Sequence, residues 1–199
     1  MKRSAFTLIE LLVVVGIIAL LSTMGIMSYF KLQERQRVEN TAKDIITYLR
    51  DIENKARTGD RGTGNCHPSN TAKAVSNKNG LQLKNWETTI NNLSIDSKPH
   101  CLPGNATAST SDTVGNSVSF TPNTSTNNLQ LRCTGSSNCK VTIQFEPLFG
   151  NTLVNGSKNQ KFILYDTVNN YCYTFQIKNG AITSGKLFNT LTECQNADV

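Results

Sequence analysis

No proline occurs between Phe6 and Arg61, and that stretch divides into two halves with different apolar patterns. An uninterrupted helix of this length restricts the fold, because the rest of the chain must be arranged against it or beyond it. The first half, Phe6 to Phe30, spans 25 residues and is almost wholly apolar. It satisfies the roughly 20 apolar residues needed to cross bilayer hydrocarbon, so the sequence predicts a transmembrane helix over 6–30. Glu10 is the only charged residue between Arg3 and Lys31. A carboxylate inside such a segment costs on the order of 2.5 to 3.5 kcal/mol at the centre and less near an end, so Glu10 is expected to have a partner.

The flanks sharpen this reading. Met1-Lys2-Arg3-Ser4-Ala5 is short and basic, which favours retention on the cytoplasmic side and leaves the residues beyond Lys31 outside. The residues Ser22, Thr23, Met24 and Gly25 make a poor small-x-small site, and the apolar run exceeds that of an ordinary secretory signal. A simple N-terminal anchor would account for the length of the segment but not for Glu10.

The second half carries a stripe. Val38, Ala42, Ile45, Leu49, Ile52 and Ala56 have helical spacing and draw one apolar line that has to be covered. Glu39 with Lys43, Asp51 with Lys55, and Glu53 with Arg57 stand at i, i+4 in the favourable order, which marks the other faces as solvated. The helix is expected to end where Gly59, Gly62 and Gly64 accumulate. This glycine run lacks the Gly-Lys-Ser/Thr ending of a phosphate-binding loop and comes after no strand.

Residues 62–199 have the size of one domain. The region from Cys66 to Pro103 yields no firm element, although Leu81-Gln82-Leu83, Trp86, Ile90 and Leu93 are apolar. Gly104 to Asn128 is rich in Ser, Thr and Asn and reads as an exposed loop around a strand at 117–121. The last third alternates as strands do. Residues 129–132, 140–146, 161–168, 171–178 and 181–187 are the expected strands, the last three forming a meander through Asn169-Asn170 and Asn179-Gly180. Tyr171, Tyr173, Phe175 and Ile177 share one face of their strand, and the striped helix is its expected cover.

Six cysteines, Cys66, Cys101, Cys133, Cys139, Cys172 and Cys194, indicate an oxidising compartment and three disulfides. Fifteen pairings exist and sequence alone does not choose. The favoured set joins Cys133 to Cys139 as a clip between two strands, Cys172 to Cys194 as a tether of the tail, and Cys66 to Cys101 by elimination. Cys66-His67 and His100-Cys101 have the residue types of a zinc site, but adjacent ligands diverge, so no metal is expected.

Ala5-Phe6-Thr7-Leu8-Ile9-Glu10-Leu11-Leu12 resembles the class III signal of type IV pilins and type II secretion pseudopilins. The resemblance covers about the first 30 residues. It implies cleavage between Ala5 and Phe6 by a prepilin peptidase and N-methylation of the new Phe6 amine. It also implies assembly with other pilin or pseudopilin subunits, with Glu10 meeting the Phe6 amine of a neighbour. Ala5 stands where that family usually has Gly, and Gly25 and Met27 lie where many pilins carry a proline. The implied fold is α+β, a long helix packed on an antiparallel head. The implied segments are a leader at 1–5, a transmembrane and filament-core helix at 6–30, an amphipathic half at 31–61 and a disulfide-bonded head at 62–199. The implied location is the inner membrane as a single-pass precursor with the head in the periplasm, then a filament. Val118-Ser119-Phe120-Thr121-Pro122 and the late strand into Asn179-Gly180 loosely resemble the GspH/FimT-like minor pilins. The Gly-Arg-rich C-terminal motif of that branch's DNA-binding members is missing.

Charge bears on partners. The precursor carries +6; loss of Lys2 and Arg3 leaves 18 basic against 14 acidic side chains, or +4. Lys158, Lys161, Lys178 and Lys186 are the candidates for a weak patch toward DNA or an anionic host surface. The sequence holds neither a metalloprotease helix motif nor a nucleophile elbow, so no enzyme and no cofactor is expected. The reading is a minor pilin serving structure or assembly, with a filament-displayed receptor as the alternative.

Overall fold

In a computed structural model, residues 7–66, 81–103, 112–122, 128–134, 136, 138–147 and 151–197 are described, without the side chains of 23–28. The chain divides into two compact units, Met1–Arg37 and Val38–Val199. A single helix, α1, runs over Leu8–Thr58. Its first residues, in the first unit, expose their apolar side chains, from Leu8 at 80% to Val14 at 50%.

One expectation is corrected by this helix. Among the described residues no helix is long and apolar enough to cross a membrane. The apolar run at the amino end of α1 is interrupted by a charged residue in its first turn, Glu10, which lowers its apolarity. The transmembrane helix at 6–30, the membrane-spanning half of the α+β fold and the single-pass inner-membrane precursor with a periplasmic head are therefore not upheld. The fold is an α+β chain with antiparallel sheets.

The second unit is built on the stripe. Val38, Ala42, Ile45, Leu49, Ile52 and Ala56 are all fully buried, and Ile46 nearly so. The helix ends at Thr58, and Gly59 turns the chain at φ 70°, a left-handed conformation that glycine adopts without a Cβ penalty. A short 3-10 turn at Gly64–Cys66 comes next.

Among the described residues ten strands form two antiparallel sheets rather than the single sheet face anticipated. The strands of the first sheet are β1 (Leu81–Asn91), β2 (Ser94–Pro103), β3 (Thr113–Val114), β4 (Val118–Phe120), β6 (Lys140–Phe145) and β7 (Thr152–Val154). Their order is β3-β2-β1-β6-β7, with β4 also on β2. The second sheet is β10-β9-β8-β5, made of β5 (Leu129–Cys133), β8 (Gln160–Asp166), β9 (Cys172–Lys178) and β10 (Ala181–Phe188). Both sheets send one face into the core that holds the stripe. Trp86, Ile90, Ile95, Ile143 and Phe145 come from the first, and Leu131, Phe162, Leu164, Phe175 and Ile177 from the second. Phe162 and Phe175 stack with centroids 5.0 Å apart.

Polar contacts tie the helix to the sheets at defined heights. The Tyr48 hydroxyl donates to the Val118 carbonyl at 2.8 Å and shares a 3.0 Å hydrogen bond with Ser97 Oγ, while its ring stacks on Phe120 at 4.8 Å. Ser97 Oγ also shares a 2.8 Å hydrogen bond with Thr88 Oγ1, so these fully buried hydroxyls satisfy one another. Burial raises the pKa of Tyr48 above its ordinary value. Trp86 Nε1 donates to the Asp60 carbonyl at 2.7 Å, closing the helix end over the first sheet.

The meander β8-β9-β10 forms as expected, with one difference at its first turn. Asp166, not the Asn169-Asn170 pair alone, organises that loop: its carboxylate accepts from the backbone amides of Val168 and Asn169. Asn179 and Gly180, at φ 53° and 79°, make the second turn. A helix of one and a half turns, α2 (Leu191–Asn196), is capped by the Thr190 side chain and covers a second cluster of Ile163, Tyr165, Cys172 and Cys194 on the other face of the sheet.

Two substitutions probe this packing. Leu49→Ala should cost about 2 to 5 kcal/mol of unfolding free energy by opening a void in the shared core. Gly185→Ala should also destabilise, because a Cβ there would lie 1.8 Å from the Thr174 carbonyl oxygen, and relief requires the bulge in β10 to move. Denaturant melts of the two variants check both.

Candidate functional site

The amino end of α1 is built by a local rule that sequence reasoning overlooked. Thr7-Leu8-Ile9-Glu10 is a Thr-x-x-Glu capping box. The Thr7 backbone amide donates to Glu10 Oε2 at 3.0 Å, the Thr7 hydroxyl donates to the same oxygen at 2.9 Å, and the Glu10 amide donates to Thr7 Oγ1 at 3.3 Å. These satisfy donors that a helix start otherwise leaves open. The hydrogen bond from the Thr7 amide, and after it that from the Thr7 hydroxyl, holds the Glu10 carboxyl below its ordinary pKa. Negative charge is also favoured there by the helix dipole. The partner expected for Glu10 is thus found first within its own chain.

Ala5 and Phe6 lie outside the described residues. Thr7 is the next residue, so the capping box begins one residue after the expected cut. Leu8, Ile9, Leu11, Leu12 and Val13 surround Glu10 and are all more than half exposed. A charged, hydrogen-bonded carboxylate therefore stands in an apolar, uncovered helix surface.

The cysteines are joined as Cys66–Cys101, Cys133–Cys139 and Cys172–Cys194, with Cα separations of 5.9, 4.8 and 6.4 Å. The first fastens the turn after α1 to β2. The second spans the point where the chain leaves one sheet for the other, since β5 and β6 belong to different sheets. The third holds α2 against β9. Cys66 and Cys101 are consumed by their bond, and His67 lies outside the described residues. The His100 ring sits between Glu87 and Asp112 at 3.7 and 3.4 Å. A hydrogen bond from Lys84 holds the Asp112 carboxyl below its ordinary pKa. Among the described residues no group of three or more metal-ligating side chains converges.

The four lysines occupy different places. Lys158 precedes β8 and lies by the β9–β10 turn, since the Gly180 amide donates to its carbonyl at 3.1 Å. Lys178 ends β9 beside that turn, and Lys186 sits in the bulged part of β10. Lys161 points elsewhere, its ammonium donating to the carbonyls of Gln195 at 3.0 Å and Ala197 at 2.6 Å. The loop from Gly104 to Asn128 lies partly outside the described residues.

The site can be checked in two ways. Glu10 should titrate below an ordinary glutamate by carbon-detected NMR and move back toward the ordinary value in Thr7→Val. With a lowered native pKa, the capping contribution is complete above the ordinary glutamate value near 4.3 and is lost as pH falls through the native one. Thiol titration of the denatured, unreduced chain should find no free thiol, and six after reduction.

Comparison with known proteins bears on the amino end. Residues 1–26 match the family model described as the prokaryotic N-terminal methylation motif. No curated protein and no solved structure matches the chain. The N-terminal region therefore carries the class III prepilin signal that is diagnostic of pilin- and pseudopilin-like proteins.

Proposed function

We propose that this chain is a minor pilin, a structural or assembly subunit of a type IV pilus or a type II secretion pseudopilus. The observation that carries the reading is the methylation motif lying over a helix whose apolar side chains are exposed on every face. Leu8, Leu12, Val15, Leu21 and Tyr29 are left exposed within their own unit, and an exposed apolar surface of this extent marks an interaction site. Like helices from neighbouring subunits supply a cover of matching chemistry.

In this reading a prepilin peptidase cuts between Ala5 and Phe6, and the Phe6 amine becomes N-methylated. The carboxylate of Glu10 then receives the amine of a neighbouring subunit. One oxygen of that carboxylate already accepts two hydrogen bonds from Thr7, so the acid is oriented before a neighbour arrives. As helices pack and water leaves, an unpaired carboxylate would be costly, whereas a paired one fixes the stagger between subunits more than it adds net stability.

Mass spectrometry of the processed protein tests the reading, with a chain beginning at N-methylated Phe6 as the expected result. A different first residue would sink it. Glu10→Ala should leave the head folded yet lower incorporation into sheared filaments by at least tenfold, about 1.4 kcal/mol per intersubunit contact. Filaments containing the variant at the normal level would remove the role assigned to Glu10. A deletion strain without filaments indicates assembly, and filaments present with adhesion lost indicate a receptor.

A further inference from the structure

The outer face of the second sheet holds a cleft of about 360 Å³ between β5, β8 and α2, lined by Arg132, Thr134, Ser136, Lys161, Ile163 and Gln195. That volume is at the small end of small-molecule sites, roughly 300 to 1,000 Å³. Among the described residues two cations and no carboxylate line it. Arg132 is paired in register with Ile163, and its guanidinium lies 5.1 Å from the centre of the Tyr165 ring, which holds the fork in place. Its Nε is buried and makes no hydrogen bond to any described group. A buried guanidinium donor is normally satisfied, so Arg132 is left short of a polar partner.

The remaining lining indicates its chemistry. The hydroxyls of Thr134 and Ser136 donate inward, to the carbonyls of Lys161 at 3.3 Å and Asn138 at 2.7 Å. Their oxygens therefore face an occupant as acceptors, and suit hydroxyl groups. The planar guanidinium suits a carboxylate. The Lys161 ammonium, held by the two C-terminal carbonyls, adds fixed positive charge. Ile163 offers an apolar wall for the C–H face of a ring.

We propose that this cleft binds an acidic sugar, a carboxylate carried on a hydroxylated ring of monosaccharide size, such as a uronic acid of a polysaccharide. The site stands independently of the assembly reading, since it uses neither the amino end nor α1. A phosphate would meet the two cations but offers few hydroxyl donors for Thr134 and Ser136, and a neutral sugar would leave the guanidinium unpaired.

Ligand-observed NMR on the full-length chain in mild detergent tests this with glucuronate, glucose and inorganic phosphate as probes. Glucuronate should bind at least about tenfold more tightly than either of the others. Arg132→Gln and Arg132→Lys should each weaken glucuronate at least about tenfold, the latter because a lysine keeps the charge but loses the fork. Should the glutamine variant fail to fold, the lysine variant supplies the reading. Equal binding of glucose or phosphate, no saturable binding of glucuronate below about 10 mM, or unchanged affinity in Arg132→Lys would each overturn the proposal.

Discussion

Covering the stripe from Val38 to Ala56 is the constraint on which the head depends. The six residues of that line are fully buried, and the inner faces of both sheets meet in the same core. Among the described residues neither sheet has another apolar layer of comparable size for its inner face. A change in the helix face is thus felt in both sheets at once, whereas an outer-face change in one sheet need not reach the other. The tyrosine at position 48 sets the height of this arrangement. Its hydroxyl reaches the buried pair of Ser97 and Thr88, and its ring rests on Phe120. Apolar contact is non-directional, and a hydrogen-bonded hydroxyl within it supplies the direction.

At the amino end the same helix shows the opposite condition. Its apolar residues lack a cover within their own unit, and the one acid among them is held by Thr7. In the function we propose, this gives Glu10 two states of satisfaction. Alone, the chain keeps the carboxylate hydrogen-bonded to Thr7 in water. In the proposed assembly the same carboxylate is offered to a cation without a change of rotamer, so that the capping box both starts a helix and aims a charge.

Much of this was legible in the sequence where one physical rule acts alone. Helical spacing identified all six stripe residues, and Asn179-Gly180 located a turn because both positions tolerate positive φ. Legibility failed where tertiary context decides. The β1–β2 hairpin was missed because its inward positions include Thr88 and Ser97, polar residues that look exposed until Tyr48 is seen above them. The turn after β7 was missed although Asn155-Gly156 carries the same signal as Asn179-Gly180, with φ of 47° and 81°. Reading residues 6–30 as a membrane span weighed length over the charge of Glu10, and among the described residues no helix is long and apolar enough to cross a membrane. Glu10 was singled out for its charge, while the threonine three residues before it explained its geometry. The cleft at Arg132 had no sequence signal, because its residues come from β5, β8 and α2 and meet only through strand pairing and the Cys172–Cys194 bond.

The order of the three disulfides has a consequence for how the chain acquires them. Along the sequence, first joins second, third joins fourth and fifth joins sixth, and no bond encloses another. When such a chain emerges amino end first, the correct partner of each odd-numbered thiol is always the next one to appear. Oxidation in order of emergence then produces the native set directly, with no wrong pair to be undone by exchange. A chain of this design can mature beside a fast oxidant with little demand on an isomerase.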